Sequence, residues 1–201
     1  MAGTLLDEIE PTWHVCEYHE TIVNAPPRVV YDALMTLPID ASAIMRVLMG
    51  LRELPARLTG RPTRTDAARE RMSTPQMSLI AAMQSGGFAL LGERPGDEIV
   101  LGLAGRFWEM SPARVRLNSR EDFVSYQESG SARASINFRV EPLDKGRTRV
   151  SSETRVRCFG GAERKFKLYW ALIGPFSAWI RRDWLRLIKQ ASESANRQVN
   201  V

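Results

Sequence analysis

Cysteine and histidine are scarce in this chain of 201 residues, and each shortage excludes a class of structure. The only cysteines are Cys16 and Cys158, so no disulfide framework is expected. The only histidines are His14 and His19, and their odd separation puts them on opposite faces of a strand. We therefore expect no metal site, and no pattern in the sequence indicates another cofactor.

The chain also lacks an apolar run long enough to cross a membrane. Its most apolar stretch is LYWALIGPFSAWI, Leu168 to Ile180, which as a helix would be about 20 Å long against a hydrocarbon core of about 30 Å. The N-terminal sequence MAGTLLDEIEPTW carries acidic residues in place of the basic and long apolar regions of a secretory signal. We expect a cytoplasmic protein with free thiols.

The composition is that of one globular domain, with 44% hydrophobic and 25% charged residues. A chain of this length and composition can bury most of the surface that its unfolded form exposes. We predict a single domain over 1–201, with a flexible N-terminus at 1–12, a loop or lid at 59–74 and a frayed C-terminus at 196–201.

Basic residues exceed acidic ones and give a net charge of +5. Such a balance suits an anionic partner, for example nucleic acid or a lipid surface. The basic side chains alternate along strands and helix faces and form no single run, which favours a solvated surface. We expect no nucleic-acid partner; a weak association with an anionic membrane surface stays an alternative, and monomer and homodimer are both open.

The first half of the chain predicts one strand followed by helices. Trp13 to Val23 is rich in β-branched and aromatic residues without a helical period, which indicates a strand. Pro26 and Pro27 then suit the first turn of a helix. A second helix is predicted at about 40–58, and a short one at 75–84.

The second half predicts antiparallel strands. A hairpin is expected from 88–93 and 98–108 around the turn RPGD, and a further strand at 114–118. The segments 131–141 and 148–159 alternate apolar and polar residues, which is typical of a sheet with one buried and one solvated face.

A long helix is predicted from about 162 to 195, because apolar residues recur there at steps of three and four. Extra aromatic residues widen the apolar stripe. Pro175 lacks the amide that would bond the carbonyl of Ala171, so a kink or a break is expected at Gly174.

Two local patterns have simple structural interpretations. Gly102 to Gly105 lies within a strand pattern and no helix follows, so it is not a phosphate loop. Its small residues predict the close approach of another backbone or of a ligand. Glu153, Arg155 and Arg157 share one strand face, which favours a solvated ion-pair ladder. A dry position would instead require each charge to be paired.

This order of elements resembles the START-like superfamily, which includes polyketide cyclases, lipid-transfer domains and the birch pollen allergen. The resemblance is carried by VNAPPRVVYDAL at 23–34 and by SSETRV at 151–156 followed by the terminal helix. More narrowly, EIVLGLAGRFW and YWALIGPFSAWIRRDWL are similar to segments of a bacterial subgroup. The matching motifs are structural and extend over nearly the whole chain.

The resemblance implies a helix-grip fold of the α+β class. A curved antiparallel sheet would wrap around the long C-terminal helix, with two short helices after the first strand and a cavity between sheet and helix. It also implies that the first and last strands are antiparallel neighbours, which would place Cys16 and Cys158 near each other.

Three functions are compatible with the resemblance. The leading one is binding or transport of a hydrophobic small molecule, such as a lipid, polyketide or isoprenoid, in the cavity. The second is a cyclase- or aromatase-like enzyme acting on a polyketide-type substrate, with His19, Glu17 or Tyr126 placing protons. The third is a peripheral membrane or partner-binding protein that uses a basic surface.

The candidate ligand-binding residues are those expected to face the cavity from the strands and the terminal helix. They are His19, Thr21, Phe88, Leu101, Trp108, Phe138, Phe166, Tyr169, Trp170, Ile173 and Phe176. For each aromatic residue the alternative is a plain core position, and for His19 it is a hydrogen bond at the sheet surface.

Overall fold

The structure, a computed structural model, describes residues 3–42, 77–109 and 113–199. Within these ranges a six-stranded antiparallel sheet curves against a long C-terminal helix, and short helices follow the first strand. The predicted α+β helix-grip architecture is confirmed. Nearly all of the helix predicted at 40–58, and the whole loop or lid predicted at 59–74, lie outside the described residues.

The strands of the described ranges are all antiparallel to their neighbours. They are β1 (Val15–Val23), β2 (Ala89–Arg94), β3 (Glu98–Arg106), β4 (Ala113–Val115), β5 (Ala132–Pro142) and β6 (Thr148–Cys158). Their order in the sheet is β1-β6-β5-β3-β2, with β4 paired to β3. The first and last strands are neighbours, as the resemblance implied, with Val15 opposite Val156.

The helices of the described ranges are four short ones and one long one. They are α1 (Leu5–Ile9), α2 (Pro27–Thr36), α3 (Leu79–Ser85), α4 (Arg120–Ser125) and α5 (Ala162–Val199), with two 3-10 turns at Ile39–Ala41 and Asp144–Gly146. α5 therefore includes four residues of the C-terminal stretch that was expected to fray.

α5 continues through Pro175 without a break. Of the two outcomes expected at Gly174, a kink or a break, the break is therefore wrong. The glycine has a packing role instead. A Cβ atom added to Gly174 would lie 3.2 Å from Nε1 of Trp170, which is closer than a methylene group normally approaches. Gly174 thus allows the Trp170 indole to lie along the helix surface.

The concave face of the sheet carries the main hydrophobic core. Alternate side chains of β3, β5 and β6 pack there against α2, α3 and the C-terminal half of α5, and Ile136, Phe138 and Ile188 are almost fully buried. A second cluster, centred on the buried Phe166, lies under the N-terminal half of α5. The two clusters hold α5 against the sheet along its length.

The opposite face of the sheet, called the back face below, is covered over β3 and most of β5, so the expectation of one solvated face is wrong for those strands. Leu6 and Ile9 of α1 and Phe123 of α4 pack over the covered part. On β1 the same face is solvated, with Tyr18 50% and Ile22 40% exposed.

Gly102 of β3 makes room for the covering layer, because a Cβ atom there would lie 2.5 Å from Leu91 and 2.7 Å from Phe123. The close approach at Gly102 is made by side chains of the protein, and not by another backbone or a ligand as expected.

Residues 3–10 belong to this cover, which differs from the flexible N-terminus expected for 1–12. α1 begins with a capping box, and Leu6 is fully buried. The buried carboxylate of Glu98 accepts hydrogen bonds from the backbone amides of Leu5 at 2.7 Å and Leu6 at 3.2 Å. A carboxylate at the first turn also complements the helix dipole.

Two arginines of the back face are buried and paired. For one of them, Arg155, this corrects the expectation of a solvated ladder, whereas the side chain of Arg157 in the same ladder is 33% exposed. Arg133 is 2% exposed and donates to both carboxylate oxygens of Glu10 and to two backbone carbonyls of α4. Arg155 is 4% exposed and donates to Glu153 and Asp7, each at 2.7 Å. Buried charges are tolerated because these partners replace water.

The two cysteines lie on opposite faces of the sheet. Although their strands are neighbours, the two thiols are therefore not close to each other, contrary to the expectation. Cys16 is on the back face, with its Sγ 3.3 Å from a carboxylate oxygen of Glu153. Cys158 packs in the cluster around Phe166. Both thiols are free, and desolvation raises the pKa of each to about 11.

The burial of α1 predicts that its core side chain contributes to stability. Leu6→Ala should lower the free energy of unfolding by about 2–5 kcal/mol, because it leaves a cavity in the back-face cluster. The control is Leu168→Ala, at a leucine that is 77% exposed, where we expect a change within about 0.5 kcal/mol. Urea unfolding measures both, and two equally small changes would contradict the packing of α1.

Candidate functional site

The concave face of β1 brings titratable side chains to the interior, by which we mean the space between the concave face and α5. β1 is an edge strand that pairs only with β6, and its side chains alternate between half-buried and exposed positions. Glu17, His19 and Thr21 therefore point to the same side as the buried Val23. The sequence pattern had indicated this shared face.

Glu17 and His19 form a hydrogen-bonded pair at the edge of the interior. His19 Nε2 lies 2.7 Å from Glu17 Oε1, and each side chain is 13% exposed. The spacing of two residues along a strand makes the contact possible, because such residues are neighbours on one face. Across the ladder, His19 is opposite Ser152 of β6, which is 1% exposed.

α5 supplies the other wall of the interior with Arg181 and Trp184. The Arg181 guanidinium carbon lies 5.2 Å from the centre of the Trp184 ring system, and the Trp184 ring is 6.2 Å from Phe138 of β5. Burial lowers the pKa of Arg181 to about 10, and the negative charge of Glu17 opposes that shift. Arg181 thus remains cationic at neutral pH and lies within electrostatic range of Glu17.

We call Glu17, His19, Ser152, Arg181 and Trp184 the interior polar cluster. Glu17 is hydrogen-bonded to His19, which is opposite Ser152 in the strand register. The Arg181 guanidinium lies over Trp184, whose ring is near Phe138, the residue opposite Ser152 in β5. Charged and polar groups from β1, β6 and α5 therefore lie on elements that face each other.

Four buried atoms of the interior polar cluster have no hydrogen-bond partner among the described residues. They are Glu17 Oε2, Ser152 Oγ, Arg181 Nη1 and Trp184 Nε1. An unpaired buried polar atom costs about 1–3 kcal/mol, so native proteins contain few of them. Three further buried atoms without a hydrogen-bond partner, Ser135 Oγ, Arg139 Nε and Arg149 Nε, lie on the back face, so the concave face carries four of the seven found among the described residues.

The four unpaired atoms of the interior polar cluster determine which hydrogen-bond donors and acceptors a ligand would need. Arg181 Nη1 and Trp184 Nε1 can only donate, a carboxylate oxygen of Glu17 can only accept, and the Ser152 hydroxyl can do either. A matching group must accept two hydrogen bonds and donate one. A hydroxyl group next to a carbonyl or ring oxygen fulfils both conditions without adding charge beside Glu17.

The imidazole of His19 adds a group that can both donate and accept a hydrogen bond. When Glu17 accepts a hydrogen bond from the N–H at Nε2, the other ring nitrogen, Nδ1, is left as an acceptor. The pair can therefore orient a ligand hydroxyl or move a proton to and from it.

Most of the predicted ligand-binding residues lie on the concave side of the structure. Trp108, Phe166, Tyr169 and Trp170 form one aromatic cluster with ring centroids 5.4–5.8 Å from that of Phe166. Leu101 and Phe138 belong to the main core, and Phe88 touches both clusters. Thr21 and Ile173 are partly buried.

Phe88 also lies beside a shallow groove on the outside of the sheet edge. The groove is lined by Gln84, Gly87, Phe88, Ala89, Arg114, Val115, Arg116 and Leu117. None of the members of the interior polar cluster contributes to it.

Two predicted site residues lie elsewhere. Tyr126 follows α4 on the back-face side, where its hydroxyl donates to Glu128 at 3.2 Å and its ring is 6.5 Å from Phe159. It therefore cannot share a reacting atom with Glu17 and His19. Phe176 is 36% exposed and packs against Trp179 on the outer side of α5, so it does not face the interior.

The sequence analysis missed Arg181 and Ser152 as site residues. No prediction was made for Arg181. Its spacing from Trp170, Gly174 and Ser177, in steps of three and four, puts it on the inward stripe of α5 and could have indicated its position. Ser152 resembles any small residue of a strand, and no local signal distinguishes it.

The described part of the chain contains neither a metal-binding cluster nor a membrane-spanning helix. No three side chains of His, Cys, Asp or Glu in residues 3–42, 77–109 and 113–199 are grouped so that they could hold a metal ion. In the same ranges, no helix combines the length and the apolar content that crossing a bilayer requires.

Comparison with known proteins yields loose structural overlaps. No protein-family model and no curated protein sequence matches the chain. A protein from Chromobacterium violaceum overlaps at 13% identity and a TM-score of 0.34, covering 89% of this chain and 96% of its own. The Zhui aromatase/cyclase from Streptomyces sp. R1128 overlaps at 12% identity and 0.30, covering 89% and 93%.

A protein from Thermus thermophilus overlaps at 13% identity and a TM-score of 0.30, covering 90% of this chain and 99% of its own. Overlaps this loose carry no argument about function. The architecture of the chain agrees with the START-like resemblance through its own strand order and the position of α5.

The unpaired guanidinium nitrogen predicts an unusual mutational result. Arg181→Met should change the free energy of unfolding by less than about 1 kcal/mol, because it removes a desolvated cation whose Nη1 has no protein partner among the described residues. Arg133→Met is the matched control at a fully paired arginine. It should lower stability by about 3–5 kcal/mol, since Glu10 is left buried without its partner.

Chemical denaturation of both variants measures the difference. A loss for Arg181→Met as large as that for Arg133→Met would contradict the assignment of Arg181 to the interior polar cluster, because it would mean that the protein itself pairs the group.

Proposed function

We propose that the chain binds a hydrophobic small molecule in its interior, with the polar end of that molecule in the interior polar cluster. The observation that carries the proposal is the set of four unpaired buried atoms on Glu17, Ser152, Arg181 and Trp184. Apolar and aromatic side chains surround them on the concave face. Ligand sites commonly combine such walls with a few converging polar groups.

The binding energy would come from two sources. Burial of the apolar body of the ligand contributes about 25 cal/mol per Å². The polar end of the ligand contributes specificity. A hydrophobe without a hydrogen-bonding group would bind more weakly, because it leaves the buried donors and acceptor unpaired. The class that fits is therefore a hydrophobe with a hydroxyl group beside an oxygen acceptor, such as a polyketide, phenol or hydroxylated isoprenoid.

A second candidate is a cyclase- or aromatase-like enzyme, and the Glu17–His19 pair favours it. A histidine that a carboxylate orients at 2.7 Å is placed to act as a general base. Arg181 Nη1 could then stabilise negative charge that develops on a ligand oxygen. In this function the same cluster would hold the substrate and move a proton.

The test of binding uses two probes that differ only in a hydroxyl group, 2-naphthol and naphthalene. The protein should bind 2-naphthol about tenfold or more tightly than naphthalene, as followed by fluorescence titration. Glu17→Gln and Arg181→Met should reduce this preference to about threefold or less. Leu172→Ser, at a residue 79% exposed on the outer side of α5, is the control and should leave it unchanged.

Equal affinity of the wild-type protein for the two probes, or a preference that survives both substitutions, would contradict the proposed anchor. Binding of neither probe would contradict the proposed function for hydrophobes of this size.

Mass spectrometry of organic extracts separates the carrier from the enzyme. A carrier should yield the same co-purifying compound from the wild-type protein and from His19→Gln. An enzyme should yield from His19→Gln an uncyclised precursor, recognised by its retention time and fragmentation, because removing the base stops the reaction at the bound substrate. Its mass differs from that of the wild-type compound only where the reaction also releases water.

A further inference from the structure

The outer side of α5 exposes large apolar side chains to solvent in one row. Leu168 is 77% exposed, Leu172 79%, Phe176 36% and Trp179 55%. These residues follow each other at steps of four and three, so they lie on one face of the helix. We call them the outer stripe of α5. Single exposed apolar residues are common, but a contiguous row of four indicates an interaction surface.

Cations stand at both ends of the outer stripe. Lys165 lies one turn before Leu168, and Arg182 one turn after Trp179, and neither is buried. Between 163 and 186 the chain has six basic and two acidic residues. The partner of this surface must therefore be apolar in the middle and negatively charged around it.

We propose that the outer stripe of α5 docks on the surface of an anionic lipid membrane, with the helix lying parallel to the bilayer plane. Leucine, phenylalanine and tryptophan would enter the boundary between headgroups and acyl chains, and the flanking cations would contact the headgroups. The stripe is about 16 Å long at 1.5 Å per residue. It lies on the surface and does not cross it, which agrees with the absence of a spanning helix from the described residues.

Charge argues for lipid over a second copy of the chain. In a twofold-symmetric pair the same stripe meets itself, so the basic ends face basic ends whether the helices are parallel or antiparallel. Like charges held opposite each other are destabilising. An anionic lipid surface meets the apolar row and both cationic ends at once.

The docking surface is separate from the interior polar cluster. Arg181 and Trp184 lie on the inward side of α5, opposite Leu172 and Trp179. The proposal does not depend on the nature of the interior ligand, and each can fail without the other.

The test is sedimentation with vesicles of phosphatidylcholine and with vesicles that also contain about 30% phosphatidylglycerol, a content that gives a negative surface potential. We expect the wild-type protein to bind the anionic vesicles and not the neutral ones. Binding should weaken about tenfold or more between about 50 mM and about 500 mM NaCl, because salt screens the headgroup contacts.

Substitutions separate the two parts of the surface. Leu172→Ser with Trp179→Ser should lower binding to anionic vesicles about tenfold or more through lost apolar burial. Lys165→Gln with Arg182→Gln should lower it severalfold at low salt and have little effect at high salt. Val124→Ser, at a valine 40% exposed on α4, is the control and should bind like the wild type.

Circular dichroism confirms that each variant is folded, as expected for exposed positions. Failure of the wild-type protein to bind anionic vesicles, or equal binding by the Leu172→Ser/Trp179→Ser variant, would overturn the proposal. So would a dimer in analytical ultracentrifugation that becomes a monomer in this variant without any vesicle binding by the wild type, because the stripe would then be a contact between copies.

Discussion

A polar atom removed from water must find a new partner, and the structure meets this constraint differently on the two faces of its sheet. On the back face, Arg133, Arg155 and Glu98 are bonded to carboxylates, amides and carbonyls of the chain itself. On the concave face, Glu17 and Arg181 each keep a buried atom without a partner in the described residues. Buried atoms without a hydrogen-bond partner among the described residues also occur on the back face, at Ser135, Arg139 and Arg149, but the charged groups named above are bonded within the chain.

The back face explains why the concave face can be specialised. α1 and α4 close one side of the sheet with a compact apolar cluster around Phe123, and the paired arginines tie the N-terminal segment to β5 and β6. That layer depends on contacts within the chain alone. The concave face can then hold groups that cost stability, since proteins retain such groups where function requires them.

α5 buries an apolar side that includes Phe166 and Ile188, and it also exposes apolar side chains on its outer side. Its inward side carries the cation of Arg181 and the indole nitrogen of Trp184 beside the core, and its outward side exposes Leu168 and Leu172. The apolar stretch from Leu168 to Ile180 therefore serves both sides of the helix. This arrangement gives one element a role in the proposed ligand site and in the proposed membrane contact.

Local patterns in the sequence predicted the strands and the long helix well, because alternation and helical spacing depend on near neighbours. They failed where the partner is distant in sequence. Arg133 and Glu10 are separated by 123 residues, so neither position by itself indicated burial, and α1 was expected to be flexible. For the same reason the pattern indicated Glu17 and His19, which lie two residues apart, and missed Arg181, which faces them from α5.

The indole nitrogen of Trp184 is the most direct reporter of the interior polar cluster. In a two-dimensional nitrogen–proton NMR spectrum, Trp184→Phe identifies its signal among those of the five tryptophans, and 2-naphthol is then added stepwise. The structure predicts that the Trp184 indole signal shifts most, as its proton gains an acceptor, while that of the outward-facing Trp179 stays in place. A spectrum in which Trp184 is unaffected and other indole signals move would contradict a ligand site between the sheet and α5.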